Sequence, residues 1–255
     1  MKRSRLSLNF LLLFILFNII LSNVSATNYV LGIYDDQELI WKCNFCNQIE
    51  MDSIFGNNWN DFGIFSNLSQ GKSMKWKINN VNVNETKINI NFSIWEWRFE
   101  NIWGLKDYDS ELSYLRNPGD YSQTINFSQY SSCVPFLFPI PIGEYIGGLD
   151  LINWYDVDNR VLPTLNVEIN KNGISPGIPT KNIKIIAIYN DQGILNSYKL
   201  YITGNIVIID ISLDFLPFYV IPTLIGLFVG FSLGIVLYII KKSKLKIASK
   251  KKNGL

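Results

Sequence analysis

Residues 75–99 read KWKINNVNVNETKININFSIWEWRF, and this stretch decides the fold class. After the central Asn84-Glu85 pair, apolar and polar residues alternate one by one, which is the period of a half-buried β-strand and not of a helix. The apolar positions of this alternation are Ile88, Ile90, Phe92 and Ile94. Segments 72–83 and 87–99 are therefore predicted to form an antiparallel hairpin that turns at Asn84 and Glu85.

The alternation of the second arm fails at its end, where aromatic residues move to the formerly polar face. Trp95, Trp97 and Phe99 hold the positions that polar residues held earlier in the strand. Two explanations are open from the sequence: a β-bulge that rotates the strand, or a strand whose two faces are both covered. Trp95 and Trp97 are therefore the tryptophans that best fit a binding surface.

Further strand-like segments surround this hairpin in the sequence. They cover 29–33, 39–45, 165–169, 181–189, 194–202 and 206–212. In the second of them the alternating inward positions are Leu39, Trp41, Cys43 and Phe45. Short turns separate the last three segments, as in an antiparallel meander. Together they predict an all-β domain, built as an antiparallel sandwich or a half-barrel.

A proline-rich apolar segment, VPFLFPIPI at 134–142, interrupts the strand-like segments. Its prolines exclude a central strand and an uninterrupted helix, because proline lacks the backbone N–H that both require. We therefore expect this segment to lie across the open end or the edge of the sheet.

The longest uncharged run follows the β segments and reads FLPFYVIPTLIGLFVGFSLGIVLYII, residues 215–240. Because a helix of roughly 20 apolar residues crosses a bilayer, this run predicts one C-terminal transmembrane helix. Seven lysines and no acidic residue follow it, whereas Asp214 precedes it. Basic residues stay on the cytoplasmic side, so 241–255 is predicted to be a cytoplasmic tail and 27–214 an exterior domain.

The start of the chain has the pattern of a secretory signal peptide. Lys2, Arg3 and Arg5 precede an apolar run at 8–21, and small residues at 24–26 supply a cleavage site. The prediction is a signal peptide at 1–26 and a single-pass type I protein in the cell membrane, with the lipid bilayer as its partner.

Charge is distributed unequally among these parts. The chain has 23 basic and 21 acidic residues, but three basic residues lie in the signal segment and seven in the tail. The exterior domain keeps 13 basic residues against all 21 acidic ones, a net charge of −8. An acidic domain lacks the cationic surface that neutralises phosphates, so no nucleic-acid partner is expected.

Several stretches carry a resemblance to a known group of proteins. They are LIWK at 39–42, GKSMKWKINNVNVNETKINI at 71–90, SIWEW at 93–97 and YNDQGIL at 189–195. With the signal peptide and the C-terminal anchor, this pattern resembles the uncharacterised single-pass surface proteins of Asgard-type archaea. The resemblance implies an antiparallel β exterior domain on a membrane helix. It implies no catalytic residue, since none is established for that group.

The residue types present exclude several kinds of chemistry. The chain contains no histidine, so Ser-His-acid and Cys-His catalysis and most histidine metal sites are excluded. The paired acids at Asp107/Asp109 and Asp156/Asp158 lack the glycine and distant glutamate of an EF-hand loop, and we expect them to be solvated turn acids. No catalytic residue, metal site or cofactor is predicted.

The three cysteines, Cys43, Cys46 and Cys133, are disulfide candidates in an exterior domain. In an extended strand Cys43 and Cys46 would lie ~10 Å apart and face opposite ways. A disulfide tolerates only ~7 Å between the Cα atoms. Either the chain turns at Asn44 and Phe45 and the first two cysteines pair, or one of them pairs with Cys133, or all three stay reduced.

Two further patterns predict sites of modification and association. Asn-x-Ser/Thr sequons make Asn67, Asn84, Asn91 and Asn126 glycosylation candidates. In the predicted membrane helix Gly226, Gly230 and Gly234 recur every four residues, which allows two helix backbones to approach closely. This spacing predicts a possible homodimer through the helix.

The function that these observations favour is non-catalytic recognition at the cell surface of an apolar ligand, a glycan or a protein. An apolar pocket lined by Trp95, Trp97, Phe136 and Phe138 is one candidate, and core packing of the same residues is its alternative. A carboxylate-dependent extracytoplasmic hydrolase and a structural surface-layer component are the other functions that the sequence leaves open.

Overall fold

The computed structural model describes residues 28–61, 63–99, 103–170 and 180–214, and in addition 228, 230–232, 234–235 and 238. The strands are β1 (Glu38–Cys46), β2 (Ser73–Val83), β3 (Lys87–Arg98), β4 (Tyr108–Leu115), β5 (Tyr155–Asp158), β6 (Thr164–Ile169), β7 (Ile183–Tyr189), β8 (Leu195–Ile202) and β9 (Ile206–Leu213). Two short helices, α1 (Gln48–Phe55) and α2 (Ile142–Gly147), lie between strands.

The nine strands form a single antiparallel sheet in the order β4-β3-β2-β1-β9-β8-β7-β6-β5. Strands β1–β4 are one meander and β5–β9 are another, and each follows the chain from neighbour to neighbour. The two meanders join in the middle of the sheet, where β1 pairs with β9. The all-β prediction is confirmed, and the strands of the described residues belong to one sheet rather than to the two of a sandwich.

The hairpin that the sequence predicted most clearly is present. Strands β2 and β3 pair from Ser73–Arg98 to Val83–Ile88. The side-chain Oδ1 of Asn84 accepts hydrogen bonds from the backbone N–H groups of Thr86 at 2.9 Å and Lys87 at 2.7 Å. An asparagine that bonds the backbone two and three residues onward replaces the hydrogen bonds lost at the turn, which explains why the chain reverses here.

The inner face of the sheet is apolar and its outer face is largely polar. In β7, Ile183, Ile185, Ala187 and Tyr189 are buried, while the residues between them are half-exposed. Ion pairs cross the outer face between neighbouring strands, such as Lys199 with Asp210 at 3.3 Å and Lys184 with Glu168 at 3.2 Å. This is the alternation expected of an antiparallel sheet that covers a core with one face.

The sheet curves around the segment that connects the two meanders. Tyr114 on the edge strand β4 and Tyr189 on β7 both contact Phe138, with ring centroids 5.9 and 5.2 Å away. Six inter-strand intervals of ~4.8 Å would separate these tyrosines by ~29 Å on a flat sheet. Phe127 extends the contact to Tyr155 on the opposite edge strand, β5. The connecting segment therefore lies inside the curve of the sheet.

The proline-rich segment at 134–142 occupies the inner face of the sheet and not its end or edge. Val134, Phe136 and Phe138 are at most 2% exposed. Leu195 N–H donates to Phe136 O and Phe138 N–H donates to Gly193 O, each at 2.8 Å, so the segment is attached to the start of β8. Its apolar side chains complete the core that the curved sheet would otherwise expose to water.

A bulge explains the aromatic residues at the end of β3. The pairing with β2 shifts so that two steps on β2, from Ser73 to Lys75, face three steps on β3, from Trp95 to Arg98. The extra residue turns Trp97 to the inner face, where it is 2% exposed, while Trp95 stays on the outer face above Lys75. Of the two explanations that the sequence allowed, the bulge is the one observed.

Two predictions of local structure were wrong. Phe45 was expected to point inward with Cys43, but it is 39% exposed because a second bulge follows Cys43. The segment at 29–33 was expected to be a strand, but it forms only one isolated bridge, between Val30 and Ile140.

The predicted membrane span lies almost entirely outside the described residues. Among the residues that the structure does describe, no helix is long and apolar enough to cross a membrane. The signal peptide at 1–26, the span at 215–240 and the tail at 241–255 stay predictions from the sequence.

Candidate functional site

A cavity lies between the edge strand β4 and the segment that follows it. Its volume is about 470 Å³, within the ~300–1,000 Å³ typical of small-molecule sites. Its wall combines tyrosine and phenylalanine rings with uncharged polar side chains, and the residues that matter most are Tyr114, Tyr121, Tyr130, Tyr145, Gln123 and Gln129. This cavity is the candidate site.

Tyrosine hydroxyls hold the deep end of the cavity against the free edge of the sheet. Leu115 is the last residue of β4, and its N–H donates to the Tyr121 hydroxyl at 3.0 Å. The Tyr145 hydroxyl donates to Leu115 O at 2.8 Å. These two bonds replace the strand partner that an edge residue lacks, and they fix both rings in position.

The phenols in the wall are neutral hydrogen-bonding groups. Burial raises the pKa of Tyr114, Tyr130 and Tyr145 above the ordinary tyrosine value. Tyr114 donates its hydroxyl hydrogen to Leu137 O. The site therefore presents uncharged rings over the whole range in which proteins normally work.

The rim of the cavity is polar and carries little charge. Ser122, Gln123, Asn126 and Gln129 are exposed, and each side chain offers both donors and acceptors. Asp120 is the single carboxylate among the lining residues, and it accepts a hydrogen bond from Asn117 Nδ2 at 2.9 Å. The wall described holds no cationic side chain.

The cavity lies at a defined end of the sheet. Leu115 pairs with Lys87 and so lies level with the turn of the β2–β3 hairpin, whereas Leu213, the last residue of β9, pairs with Trp41 and lies level with Met74 near the start of β2. Asp214 is fixed there by its N–H, which donates to Ile40 O at 2.7 Å. The candidate site and the point where the chain leaves the domain therefore lie at different levels along the strands of the sheet.

A smaller cavity of about 150 Å³ adjoins the first one and shares Gln129 and Tyr130 with it. Its wall is more apolar and includes Ile64, Trp76 and Leu112. The indole Nε1 of Trp76 is buried and has no acceptor among the described residues. The two cavities follow the inner side of β4 in succession.

The pocket expected from Trp95, Trp97, Phe136 and Phe138 is not assembled. Trp95 lies on the outer face and donates its Nε1–H to Gly104 O, whereas Trp97 lies inside and donates to Ile64 O. Phe136 packs between Trp41 and Trp76, and Phe138 contributes to the wall of the large cavity. The bulge in β3 is the reason, because it sends the two tryptophans to opposite faces.

The three cysteines are thiols in the structure. Cys43 and Cys46 are both buried on the inner side of β1, and Cys133 is half-buried in the connecting segment. The opposite orientation expected for a regular extended strand does not arise, because the chain bulges between Cys43 and Phe45, and the pairing of the cysteines stays a prediction.

The four sequon asparagines are exposed. Asn84 and Asn126 accept backbone hydrogen bonds through Oδ1, which leaves the Nδ2 that would carry a glycan pointing elsewhere. Asn67 donates from Nδ2 to Glu96 at 2.9 Å, and no side-chain bond of Asn91 is described. Glycosylation at these positions stays a prediction.

The glycine repeat of the predicted span is described only in part. Gly230 and Gly234 are helical, and a Cβ at either would meet no atom within 4 Å in the described structure. Gly226 lies outside the described residues. The helix-mediated homodimer stays a prediction.

The paired acids predicted to be solvated turn residues contact cations. Asp107 accepts from Arg98, Asp109 from Lys106, and Asp158 from Arg160. Among the described residues no group of three or more cysteine, aspartate or glutamate side chains is placed to hold a metal ion.

The large cavity was not predicted from the sequence, because its residues come from a weakly patterned strand, a short helix and irregular turns. The tyrosine-rich composition of 114–145 was the one available signal, with Tyr114, Tyr121, Tyr130 and Tyr145 spread over it. No protein family, curated protein or solved structure matches this chain.

Proposed function

We propose that this protein is a single-pass membrane protein whose exterior domain, a half-barrel, recognises a neutral glycan without catalysis. The observation that carries the proposal is the wall of the 470 Å³ cavity. Aromatic rings form its floor, uncharged amides and hydroxyls form its rim, and one carboxylate is present.

The chemistry of a sugar explains why such a wall favours a glycan. A sugar ring has an apolar face of C–H groups, which packs on an aromatic ring, and a periphery of hydroxyls that both donate and accept hydrogen bonds. Gln123 and Gln129 supply both functions at the rim, and Tyr130 supplies a half-buried ring beside them. An anionic ligand would meet Asp120 and no cation from the described wall.

The same wall favours recognition over hydrolysis. Glycoside hydrolysis generally needs two carboxylates on either side of the scissile bond, at about 5–10 Å from each other. Among the described residues that line the cavity Asp120 is the only carboxylate, and Asp150 nearby accepts a hydrogen bond from Thr124 at 2.9 Å. Because the described wall has one carboxylate rather than two that face each other, binding explains the cavity better than hydrolysis does.

Attachment to the membrane would set which glycans the cavity meets. The predicted span begins at residue 215, directly after β9 and Asp214. The domain would then lie close to the bilayer, within reach of glycans carried on lipids or on neighbouring membrane proteins. The acidic exterior domain would keep it away from anionic headgroups.

A binding assay on the purified full chain in detergent tests the ligand class. We expect a neutral oligosaccharide from a glycan array to bind, and Gln123→Ala to weaken that binding about tenfold through a lost pair of hydrogen bonds. Gln192→Ala is the matched control, because Gln192 is exposed on the β7–β8 turn outside the cavity wall.

The outcomes of that assay are distinct. Equal affinity for a free oligosaccharide and for the same glycan on a lipid places recognition in the sugar alone, and tighter binding of the lipid-linked form adds the membrane to the site. Equal loss of affinity in Gln123→Ala and Gln192→Ala, or binding of anionic lipids only, would reject the proposed site.

Membrane topology has its own test. Protease added to intact cells is expected to remove the domain at 27–214 and to leave a small fragment with the basic tail. Protection of this domain from outside protease would reject the exterior location and leave the cavity chemistry to be explained in another compartment.

A further inference from the structure

The geometry of β1 points to a specific disulfide between Cys43 and Cys46, with Cys133 left as a free thiol. This pairing is independent of the proposed glycan site, from which it differs in both residues and chemistry. It follows from the way that β1 pairs with β9 in the middle of the sheet.

A bulge shortens the distance between the two cysteines. Cys43 lies opposite Ile211 and Cys46 lies opposite Ile209, so three steps on β1 face two steps on β9. Two residues along a strand span ~6.6 Å, instead of the ~10 Å that three would span. Disulfides join Cα atoms that are about 4.4–6.8 Å apart, so the bulge brings this pair to the upper end of that range.

The same bulge places both side chains on one face. Along β1 the residues Cys43 and Cys46 are buried while Asn44 and Phe45 between them are exposed. The chain folds back so far that Cys43 Sγ lies 3.4 Å from Phe45 O. Two cysteines three residues apart in a regular strand would point to opposite faces.

The thiols also contact each other. The interaction between the two side chains raises the pKa of Cys43 and lowers that of Cys46, while the Cys43 thiol donates a hydrogen bond to Phe45 O. Cys46 is therefore the member of the pair that more readily becomes the attacking thiolate. Cys46 is also the more accessible one, at 9% exposed against 0% for Cys43.

The oxidation balances as an ordinary thiol–disulfide exchange with a small-molecule disulfide. The Cys46 thiolate attacks one sulfur of that disulfide and releases the first small thiol. Cys43 then loses its proton and attacks Cys46 Sγ in the mixed disulfide, and the second small thiol leaves. Two protein thiols are oxidised to one disulfide, and one small disulfide is reduced to two thiols.

Cys133 lacks a comparable position. It lies in the connecting segment, and burial raises its pKa to about 11, which keeps it protonated and slow to exchange. The Tyr155 hydroxyl donates a hydrogen bond to Cys133 O at 3.1 Å and so attaches its backbone to the edge strand β5. Cys133 is therefore the cysteine that stays outside the disulfide.

Differential alkylation of the purified full chain tests the assignment. The chain is equilibrated with oxidised and reduced glutathione, quenched with acid, unfolded, alkylated and digested for mass measurement. We expect one alkylated cysteine, at Cys133, and a peptide containing Cys43 and Cys46 that is lighter by two hydrogen atoms. After reduction all three cysteines should be alkylated.

Stability measurements supply a second readout. The ring that the bond closes is short, so removing the bond with reductant should lower the melting temperature by only about 5 °C. Reductant should lower the melting temperature of Cys133→Ser by the same amount, because this variant keeps the bond. It should not change the melting temperature of Cys46→Ala, which cannot form the bond.

Two results would overturn the inference. One is alkylation of Cys43 and Cys46 at every glutathione ratio that oxidises a reference disulfide protein. The other is a cross-linked peptide that contains Cys133, which would assign the bridge to a different pair. Both measurements use the wild-type chain, so a variant that fails to fold does not blur them. Neither depends on where the protein resides or on what the large cavity binds.

Discussion

Two neighbouring regions inside the curved sheet are built from the same kinds of side chain and differ in how they pack. Around Phe136 the rings are in close contact, with Trp41 at 5.0 Å and Trp76 at 5.5 Å between centroids. Around Tyr130 the rings leave a cavity of about 470 Å³. We call these regions the packed cluster and the tyrosine cavity.

The difference follows from the strands that supply the rings. The packed cluster receives Trp41 and Trp76 from β1 and β2, which have strands on both sides and a fixed register. The tyrosine cavity receives Tyr114 from β4, an edge strand, and its other rings from the short helix α2 and from turns, where individual hydrogen bonds hold them. Regular pairing on both sides fills space, whereas an edge with individually placed side chains can leave it open.

Alkaline pH should have the largest effect of the changes considered, because it acts on buried tyrosines throughout the core. Burial raises the pKa of Tyr114, Tyr189 and Tyr198, so the folded state favours their neutral form. This contribution to stability is present below the unfolded pKa of about 10 and is lost as the pH rises beyond it. We expect the domain to unfold above pH ~10, with phenolate absorbance and tryptophan fluorescence changing together.

Variants sharpen the alkaline test. Tyr189→Phe should make the alkaline loss of stability less steep, although it also removes a hydrogen bond to Pro135 O. Tyr34→Phe should leave the alkaline loss of stability unchanged, since Tyr34 is 65% exposed. Phenolate formation by the buried tyrosines in a chain that stays folded would contradict the account of the core.

Truncation in the packed cluster should have the next largest effect. Trp41 is fully buried and donates its Nε1–H to Leu195 O at 2.8 Å. Trp41→Ala is expected to lower the free energy of unfolding by about 3–5 kcal/mol, through lost burial and the cavity left behind. Denaturant titration measures it. Trp41→Phe keeps a ring and should cost less, so an equal cost for both variants would contradict the packing argument.

The matching change in the tyrosine cavity should affect binding more than stability. Tyr130 is half-buried beside space that is already open, so Tyr130→Ala should cost less than ~2 kcal/mol of unfolding free energy. Its glycan affinity should fall at least tenfold. Tyr201→Ala, on the outer face of β8, is the control and should leave affinity intact. Loss of stability equal to that of Trp41→Ala would mean that Tyr130 belongs to the packed core.

The smallest effect is expected at the surface, outside both regions. Hydrogen bonds from Arg160 lower the pKa of Asp158 to about 2. The contribution of this carboxylate to stability is present above pH ~4 and is lost as the pH falls toward 2. Asp158→Asn should make the acid loss of stability slightly less steep in that window, whereas Asp191→Asn should not. A larger change in stability from Asp158→Asn than from Tyr130→Ala would contradict the order of effects expected here.

The sequence predicted the regular parts of this fold because their alternation is set by nearest neighbours. The hairpin at Asn84 and the meander of β7–β9 follow from patterns that need no information about distant residues. Strand β4 was missed because its sequence, YDSELSYL, alternates apolar and polar residues only briefly, at Leu112 and Tyr114. Helix α1 was missed because its buried residues, Met51 and Ile54, are too few to show a helical period.

The candidate site was beyond the reach of the sequence for a different reason. Its geometry depends on contacts between distant residues, such as the bonds of Tyr121 and Tyr145 with Leu115. The pocket predicted at Trp95 and Trp97 failed on one inserted residue in β3, since a single step reverses the face of each later side chain. Bulges are therefore the features that limit site prediction in this chain.

The central position of β9 has a mechanical consequence. This strand is hydrogen-bonded on one side to β1 and on the other to β8, and the chain leaves it at Asp214. A force that pulls on the residues after Asp214 acts along the strand, at right angles to hydrogen bonds on both its edges. The bonds are then loaded in shear and share the force, instead of opening one after another as they would at an edge strand. A tether attached here therefore pulls on an interior strand of the sheet and not on an edge strand.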